Sequence, residues 1–364
     1  MLRAAALWAS GFLLSGFLAG AAPPGEPAAV PPDDRPPQES FTDEISVSLS
    51  TVIVRAVDTW GRPILGLESK DFRVRAGKQE IPVVAVDWVA AGGEAPGAAP
   101  TMPEPAPSAS ASAEGAAPAP RQGRLVVVFV QADLSPTRIS GQLRLRPFTR
   151  ELLASLSPED RVAVVSFDSH LKLRQDFSRD RAATHAAIDE GLIFNRQADV
   201  PEDPEVSLAR GFDFAAARVA ASTERGLELT AQALAPLPGE KMMIFLGWGF
   251  GRFGSDGVHM TPAYYRAVRA LGAARVPVFA LDVTSADSHS LAVGLEGVAA
   301  ATGGMYLSTF RLPNLATDIL AKTISGYYVL TLDPGQLTGV TGQRVTIELR
   351  GKRGDVLARP AVVK

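Results

Sequence analysis

The sequence of 364 residues contains no cysteine, which excludes disulfide bonds, a thioether-linked lipid anchor and a thiol nucleophile. It has only four histidines, scattered along the chain, and none forms the i, i+4 pair of a helical zinc motif. The net charge of −3 is near neutral and no lysine- or arginine-rich run could follow a phosphate backbone, so nucleic acid is not an expected partner. The G-x-S-x-G and H-E-x-x-H patterns are also absent. We therefore predict that the protein is not an enzyme. A hydrolase remains the alternative, because catalytic residues meet in space and not in sequence.

The N-terminal segment has the features of a signal peptide. Arg3 precedes an apolar run over residues 4–19, and Ala19-Gly20-Ala21 is an A-x-A cleavage pattern. The run contains glycines and is shorter than the roughly twenty continuous apolar residues of a membrane span. We predict that residues 1–21 are a signal peptide and that the mature protein has no membrane span. It is then exported to the periplasm, the cell surface or the medium. Retention of the segment as an anchor is the alternative.

Two stretches of low complexity separate the remaining parts of the chain. Residues 22–43 are rich in proline and alanine, and residues 91–123 consist almost entirely of alanine, proline, glycine and serine. Neither can bury enough apolar surface to offset the entropy lost on ordering. We predict that the first is a semi-extended tether and the second a linker.

Short strands are predicted on both sides of the central region. Residues 45–55 alternate with period two, and turn residues and further short strands follow up to residue 90. This pattern predicts a small β domain over residues 44–90. Residues 326–364 form a second β element with three strands. Because three strands bury little surface alone, we expect them to pack with the strands of 44–90 or onto the central region.

Residues 124–325 alternate between apolar strands and helices. Near-continuous apolar strands, such as residues 124–130 and 241–246, are typical of parallel strands buried on both faces. One long helix is predicted over residues 208–235. The fold class expected is α/β, with a doubly wound, mostly parallel sheet flanked by the small all-β elements. Such sheets bind ligands at the carboxyl ends of their strands.

The order of motifs in this region resembles a known family. A strand runs into Asp133-Leu-Ser-Pro-Thr137, and after a helix comes Ser157-Pro-Glu-Asp-Arg-Val-Ala-Val-Val-Ser-Phe167. A hairpin then ends at Asp176-Phe177-Ser178. This order is similar to a von Willebrand factor type A (vWA) domain. With the preceding β domain and the closing Gly326-Tyr-Tyr-Val-Leu strand, the chain resembles the bacterial "VWFA-related" exported proteins.

The resemblance implies a metal-ion-dependent adhesion site in a degenerate form. Asp133, Ser135 and Thr137 place hard oxygen ligands, which suit Mg²⁺, on one loop. A shift of two residues would instead align Gln131 with the family's first acid. Trp248 stands where the family has its last acid, and the second-loop threonine has no evident counterpart. We predict no cofactor, with Mg²⁺ at the degenerate site as the alternative.

Aromatic residues follow the second apolar strand. Trp248, Phe250 and Phe253 lie among glycines at the expected binding end of that strand, and aromatics on such loops are typical anchors for a partner. The acidic residues Asp256 and Asp203 lie on nearby predicted loops. The same segment spells G-x-G-x-x-G, but its strand is not the first of the α/β region and no acid follows about twenty residues on, which argues against a dinucleotide site. Folding of one or two aromatics into the core is the alternative.

These patterns predict a non-catalytic, exported module that binds another protein, as yet unidentified, through the carboxyl-end loops 131–140, 195–207 and 247–260. Mg²⁺-dependent adhesion and a scaffold role in an envelope complex are the alternatives.

Overall fold

The computed structural model describes residues 51–91, 123–192, 196–336 and 343–362. The predicted signal peptide, the tether and nearly all of the linker lie outside these ranges. Among the described residues, no helix combines the length and the apolar character that crossing a bilayer requires.

Strands from both ends of the chain pair with each other. The N-terminal strands are β1 (Thr51–Val57), β2 (Phe72–Ala76), β3 (Gln79–Ile81) and β4 (Val83–Ala90). The central region contains β5 (Leu125–Gln131), β6 (Arg161–Phe167), β7 (Leu171–Ser178), β8 (Lys241–Gly247), β9 (Arg252–Gly254), β10 (Gly257–His259), β11 (Val278–Asp282) and β12 (Tyr306–Ser308). The C-terminal strands are β13 (Gly326–Leu332), β14 (Arg344–Leu349), β15 (Asp355–Ala358) and β16 (Ala361–Val362).

The N- and C-terminal strands form two antiparallel four-stranded sheets, with strand orders β15-β1-β13-β4 and β16-β14-β2-β3. Their inner faces share one apolar core that includes Val54, Val74 and Tyr328. The hydroxyl of Tyr328 donates to the carbonyl of Ile64 at 2.8 Å, which satisfies its polar atom inside this core. The C-terminal strands thus pack with the N-terminal ones, which is the first of the two arrangements expected from the sequence. We call these two sheets the β-sandwich.

The central region is a six-stranded sheet with the order β12-β11-β8-β5-β6-β7, in which only β7 runs antiparallel. Strand β5 lies in the middle and is buried along its whole length, as its continuous valine run predicts. The helices are α1 (Pro136–Ala154), α2 (Arg181–Leu192), α3 (Phe214–Arg218), α4 (Thr223–Leu234), α5 (Pro262–Ala273), α6 (Ala292–Thr302) and α7 (Pro313–Thr323). One face of the sheet packs against α4, α5 and α6, and the other packs against α1, α2 and α7. The α/β class and the doubly wound, mostly parallel sheet are confirmed.

The single helix predicted over 208–235 is wrong. Asp213 caps α3, its side chain accepting from the backbone N–H of Ala216, and α3 ends after five residues. Ser222 then caps α4, accepting from the N–H of Arg225. Two capping residues within one apolar-periodic stretch therefore divide it into separate helices.

The β-sandwich contacts the amino ends of the parallel strands. Arg55 of β1 pairs with Glu240, the residue before β8, at 2.6 Å, and its guanidinium lies 5.5 Å from the ring centroid of Phe279 in β11. Burial, together with the charge of Glu240, raises the pKa of Tyr327 to about 12 at the same contact. The carboxyl ends of the strands thus lie at the opposite edge of the sheet, away from these contacts.

Candidate functional site

The carboxyl ends of β5 and β8 meet around the side chain of Gln131. Gln131 is the last residue of β5 and is 3% exposed. Its Oε1 accepts from the backbone N–H groups of Trp248 at 2.9 Å and Gly249 at 3.3 Å. Its Nε2 donates to the carbonyl of Gly249 at 3.0 Å and to Oγ1 of Thr223 at 3.3 Å. Two N–H donors on one side and a carbonyl on the other fix the orientation of the amide.

Close approach of the backbone makes this contact feasible. A Cβ atom on Gly247 would stand 2.6 Å from Oε1 of Gln131 and 2.2 Å from the ring of Phe245. Glycine at this position therefore lets β8 end directly beside the amide.

Thr223 is a residue of this site that the sequence analysis missed. It is the first residue of α4 and is buried, directly after the capping residue Ser222. A serine before an amphipathic run is a recognisable start of a helix, so this capping pattern was the signal that could have located it. Because residues 208–235 were predicted as one continuous helix, the start of α4 was not recognised.

Asp133, the first predicted metal ligand, is engaged with its own loop. Its Oδ1 accepts from the backbone N–H of Ser135 at 2.7 Å, and its Oδ2 pairs with Arg138 of α1. Partial burial opposes ionisation, but these two contacts outweigh it and hold the pKa of Asp133 below its ordinary value. Its carboxylate is therefore ionised at neutral pH, and the paired guanidinium of Arg138 balances its negative charge.

The other two predicted ligands differ from each other in environment. Ser135 is the N-cap residue of α1 but its side chain makes no capping bond, and within the described part of the chain its buried Oγ has no hydrogen-bond partner. Thr137 lies in the first turn of α1 with an exposed side chain, and its carbonyl accepts from Oγ of Ser285 at 3.2 Å.

Trp248 contributes to the same surface through its ring. The guanidinium of Arg138 lies 3.3 Å from the ring centroid, so the cation is placed between an aromatic face and the carboxylate of Asp133. The ring also packs against the core on the α1 side of the sheet and is only partly exposed. We call Asp133, Arg138 and Trp248 the top stack.

The predicted aromatic anchors divide into a buried and an exposed residue. Phe250 is 2% exposed, and its ring centroid lies 5.1 Å from that of Phe245 and 5.8 Å from that of Tyr264. It is therefore a core residue, which corrects its prediction as a surface anchor. Phe253 is 71% exposed in the short hairpin β9–β10. Asp256, at the turn of that hairpin, is also exposed and lies 2.6 Å from Nε2 of His259.

Asp203 lies at the other end of the sheet, which corrects its placement on the binding face. Its carboxylate pairs at 2.5 Å with Arg161, the first residue of β6 and hence at an amino end. The buried carboxylate of Asp176 explains this position. Asp176 lies in β7 and accepts from the backbone N–H groups of Asp203 at 3.1 Å and Leu208 at 2.6 Å. These bonds hold the acidic loop against β7.

A second polar cluster, also missed by the sequence analysis, lies where β11 ends. Asp282 is 1% exposed, and its Oδ2 contacts Nε2 of His289 at 2.7 Å and the hydroxyl of Tyr306 at 2.8 Å. Its Oδ1 accepts from the backbone N–H of Thr284 at 2.9 Å. An acid that closes an apolar strand was the sequence signal for this cluster. These bonds tie the loop after β11 to strand β12.

The donor set around Gln131 does not fit Mg²⁺, which needs several oxygen ligands in octahedral geometry. The amide oxygen already faces two N–H groups, and the amide nitrogen donates to the hydroxyl and the carbonyl that would otherwise ligate a cation. The carboxylate of Asp133, in the loop after β5, is paired with Arg138. Within the described ranges, no three histidine, aspartate or glutamate side chains are grouped as a metal site.

No protein-family model and no curated protein matches the sequence. Similar solved structures include a von Willebrand factor type A protein from Catenulispora acidiphila, at 14% identity and TM-score 0.39 over 82% of this chain and 75% of that one. The protein BatB of Bacteroides thetaiotaomicron matches at 14% identity and TM-score 0.37 over 55% of this chain and 97% of its own. The mussel byssus protein PTMP1, with a zinc-occupied MIDAS motif, matches at 16% identity and TM-score 0.38 over 58% of this chain and 48% of its own. Likenesses at these scores carry no argument about the site or its ligands.

Proposed function

We propose that this chain is a non-catalytic protein-interaction module that binds another protein through the carboxyl-end face of its α/β sheet. The observation that carries the proposal is the hairpin β9–β10. It follows the central strand β8 at this face and presents Phe253 with 71% of its surface exposed. A large aromatic side chain on an ordered, charged hairpin is a typical anchor for a protein partner.

The surroundings of Phe253 favour a partner with both apolar and charged groups. Arg252, Asp256 and His259 are exposed on the same hairpin, and the top stack adds a partly exposed Asp133 and Arg138. An exposed aromatic within a polar rim is the usual composition of a protein-binding surface.

The position of the β-sandwich supports this choice of face. Its contacts with the α/β region, such as those of Arg55 with Glu240 and Phe279, lie at the amino ends of the strands. Loops 131–140 and 247–260 are therefore not used in that contact, and they lie at the end of the unit that a partner could reach.

The exposed histidine–carboxylate pair on the hairpin does not favour catalysis. His259 and Asp256 have side chains 58% and 74% exposed, so water surrounds them. Within the described residues, no serine or threonine hydroxyl hydrogen-bonds to either His259 or His289. A general base without a positioned nucleophile and open to solvent does not make a hydrolytic site.

The test is affinity capture of partners from extracts of the source cells with the mature chain as bait. Phe253→Ala is the test variant, and Trp60→Ala is the matched control, since Trp60 is 54% exposed on the β-sandwich. We expect the wild-type chain and Trp60→Ala to retain the same specific partner and Phe253→Ala to lose at least about tenfold of it, as anchors do. Equal capture by all three would instead favour the scaffold role with an inert carboxyl-end face.

Export is part of the proposal and rests on residues 1–21 alone. Intact-mass measurement of the protein from its native host should give a chain that begins after Ala21. A full-length chain in the soluble cell fraction would contradict export.

A further inference from the structure

Three segments that are far apart in sequence meet at the side chain of Gln131. They are the end of β5, the first residue of α4 at Thr223, and the loop from Trp248 that follows β8. Four hydrogen bonds from one amide connect all three. In a site built on a cation, the ion would make these connections by drawing oxygen atoms from each segment toward itself.

We infer that the neutral amide of Gln131 does the work of a bridging cation in this chain, so that the carboxyl-end face is assembled without a metal. The polarity of the surrounding backbone carries the inference. The N–H groups of Trp248 and Gly249 both point at the amide oxygen, and their partial positive charges would repel a cation at that position. The carbonyl of Gly249 and the hydroxyl of Thr223, which would attract a cation, instead receive the two N–H bonds of the amide.

Because these groups are buried, they depend on the Gln131 amide for their hydrogen bonds. Gln131 and Thr223 are 3% and 7% exposed, so water does not easily replace the four bonds. An unpaired polar group in such a place destabilises the structure. The backbone of Gly249 is also confined on its other side, because a Cβ there would stand 2.5 Å from Cβ of Leu291. The loop therefore has little freedom to find other partners.

The inference goes beyond the proposed function and needs no partner protein for its test. The full chain is compared with Gln131→Glu by thermal melting and by hydrogen exchange of the 247–251 segment. Each is measured in EDTA, in millimolar Mg²⁺ and in millimolar Mn²⁺. For the wild type, we expect the same midpoint and the same slow exchange at Trp248 and Gly249 in all three solutions.

Gln131→Glu replaces the donating nitrogen by a charged oxygen that faces the Gly249 carbonyl. In EDTA we expect a midpoint several degrees lower, and exchange of the 247–251 segment faster by roughly tenfold or more. The new carboxylate also supplies the missing hard ligand beside Thr223 Oγ1 and Gly249 O. Mn²⁺ should therefore return both the midpoint and the exchange rate of this variant toward the wild-type values.

Gln175→Glu is the matched control. The Gln175 amide also donates to a backbone carbonyl, that of Val162 at 3.2 Å, and to a threonine hydroxyl, that of Thr184 at 3.0 Å. Strand β7 carries it, away from the carboxyl-end loops. We expect exchange in 247–251 to stay unchanged in this variant and Mn²⁺ to have no effect on its midpoint.

Three results would overturn the inference. The first is stabilisation of the wild type by Mg²⁺ or Mn²⁺ that disappears in Asp133→Ala, since that would show a working metal site. The second is wild-type exchange rates in Gln131→Glu without metal. The third is the absence of any Mn²⁺ response in that variant. If Gln131→Glu does not fold, Thr223→Val and Thr223→Ser replace it. Faster exchange of 247–251 in Thr223→Val than in Thr223→Ser then supports the inference, and equal rates contradict it.

Discussion

The two ends of the central strands β5 and β8 differ in the kind of polar contact that is buried there. At the amino ends, full charges are buried in pairs. Arg124 and Asp160 are 6% and 1% exposed and are joined by three hydrogen bonds, and Arg55 pairs with Glu240. At the carboxyl ends of these two strands, the buried connection is the neutral amide of Gln131, and the charges of the top stack remain partly exposed.

This difference follows from what each end contacts. The amino ends are covered by the β-sandwich and by the chain leading into β13, since Arg124 also bonds to the carbonyl of Ile324. A covered charge must be paired, because an unpaired one is strongly disfavoured away from water. The loops after β5 and β8 are not covered in this way, so Asp133 and Arg138 keep part of their hydration and their pairing contributes little to folding. We therefore expect substitutions of the paired charges at the amino ends of β5 and β8 to cost more stability than substitutions of the exposed charges at their carboxyl ends.

Breaking the pair at Asp160 should have the largest effect. Asp160→Ala leaves the Arg124 guanidinium buried without its carboxylate, and it also frees the N–H of Ser157, which donates to Asp160 at 3.0 Å. We expect a loss of about 3–5 kcal/mol in the free energy of unfolding, measured by urea denaturation. Asp189→Ala, which removes an exposed pair with Arg146, is the control and should cost at most about 1 kcal/mol. Similar losses in both variants would show that burial does not distinguish these pairs.

Substitution at the contact between the β-sandwich and the α/β region should have the next largest effect on the free energy of unfolding. Burial lowers the pKa of Arg55, and Glu240 opposes that effect. Arg55→Met leaves Glu240 without its cationic partner, for an expected loss of about 2–3 kcal/mol. The loss is smaller than for Asp160→Ala because Glu240 keeps some exposure.

A double-mutant cycle checks this interpretation. Adding Glu240→Gln to Arg55→Met removes the unpaired charge, so the double variant should recover part of the loss. Strictly additive losses in urea denaturation would show that the two side chains act independently.

At the carboxyl ends, Asp133→Asn should change stability by at most about 1 kcal/mol, as for other exposed pairs. Because the pKa of Asp133 is lowered in the folded state, its carboxylate stabilises the fold above the ordinary aspartate value. That stabilisation is lost as the pH falls through the lowered value. The wild type should therefore be slightly more stable than Asp133→Asn at pH 7, and the difference should shrink as the pH falls below the ordinary aspartate value of about 3.9. A difference that persists at low pH would mean that the charge of Asp133 is not the cause.

The smallest effect on folding is expected at Phe253. Phe253→Ser removes a side chain that is 71% exposed, so the free energy of unfolding should stay within about 0.5 kcal/mol of the wild type in urea denaturation. A loss above about 2 kcal/mol would mean that Phe253 packs into the structure as Phe250 does. The matched variant Phe250→Ser should lose about 3 kcal/mol or more, since it empties a core position between Phe245 and Tyr264.

The sequence predicted the fold well because its signals are local. Runs such as 125–130 are apolar at every position, which is typical of a strand buried on both faces. Helices α5 and α7 begin at Pro262 and Pro313, and proline is typical of the first turn of a helix. The site was predicted less well. Asp133 and Trp248 do lie at the carboxyl ends, but Thr223 and the role of Gln131 were not identified.

By itself, then, the sequence determined most of the strands and helices and that their sheet is doubly wound, since periodicity and buried runs depend on neighbouring residues. It did not separate α3 from α4. Only the tertiary structure decided which side chains meet. Gln131 contacts residues about 90 and 120 positions away. Asp203 lies at the amino ends because its backbone N–H donates to the carboxylate of Asp176, 27 residues earlier. Phe250 and Phe253 are three residues apart and chemically identical, yet one is buried and the other exposed. No local pattern separates them, because burial depends on what the rest of the chain places above each ring.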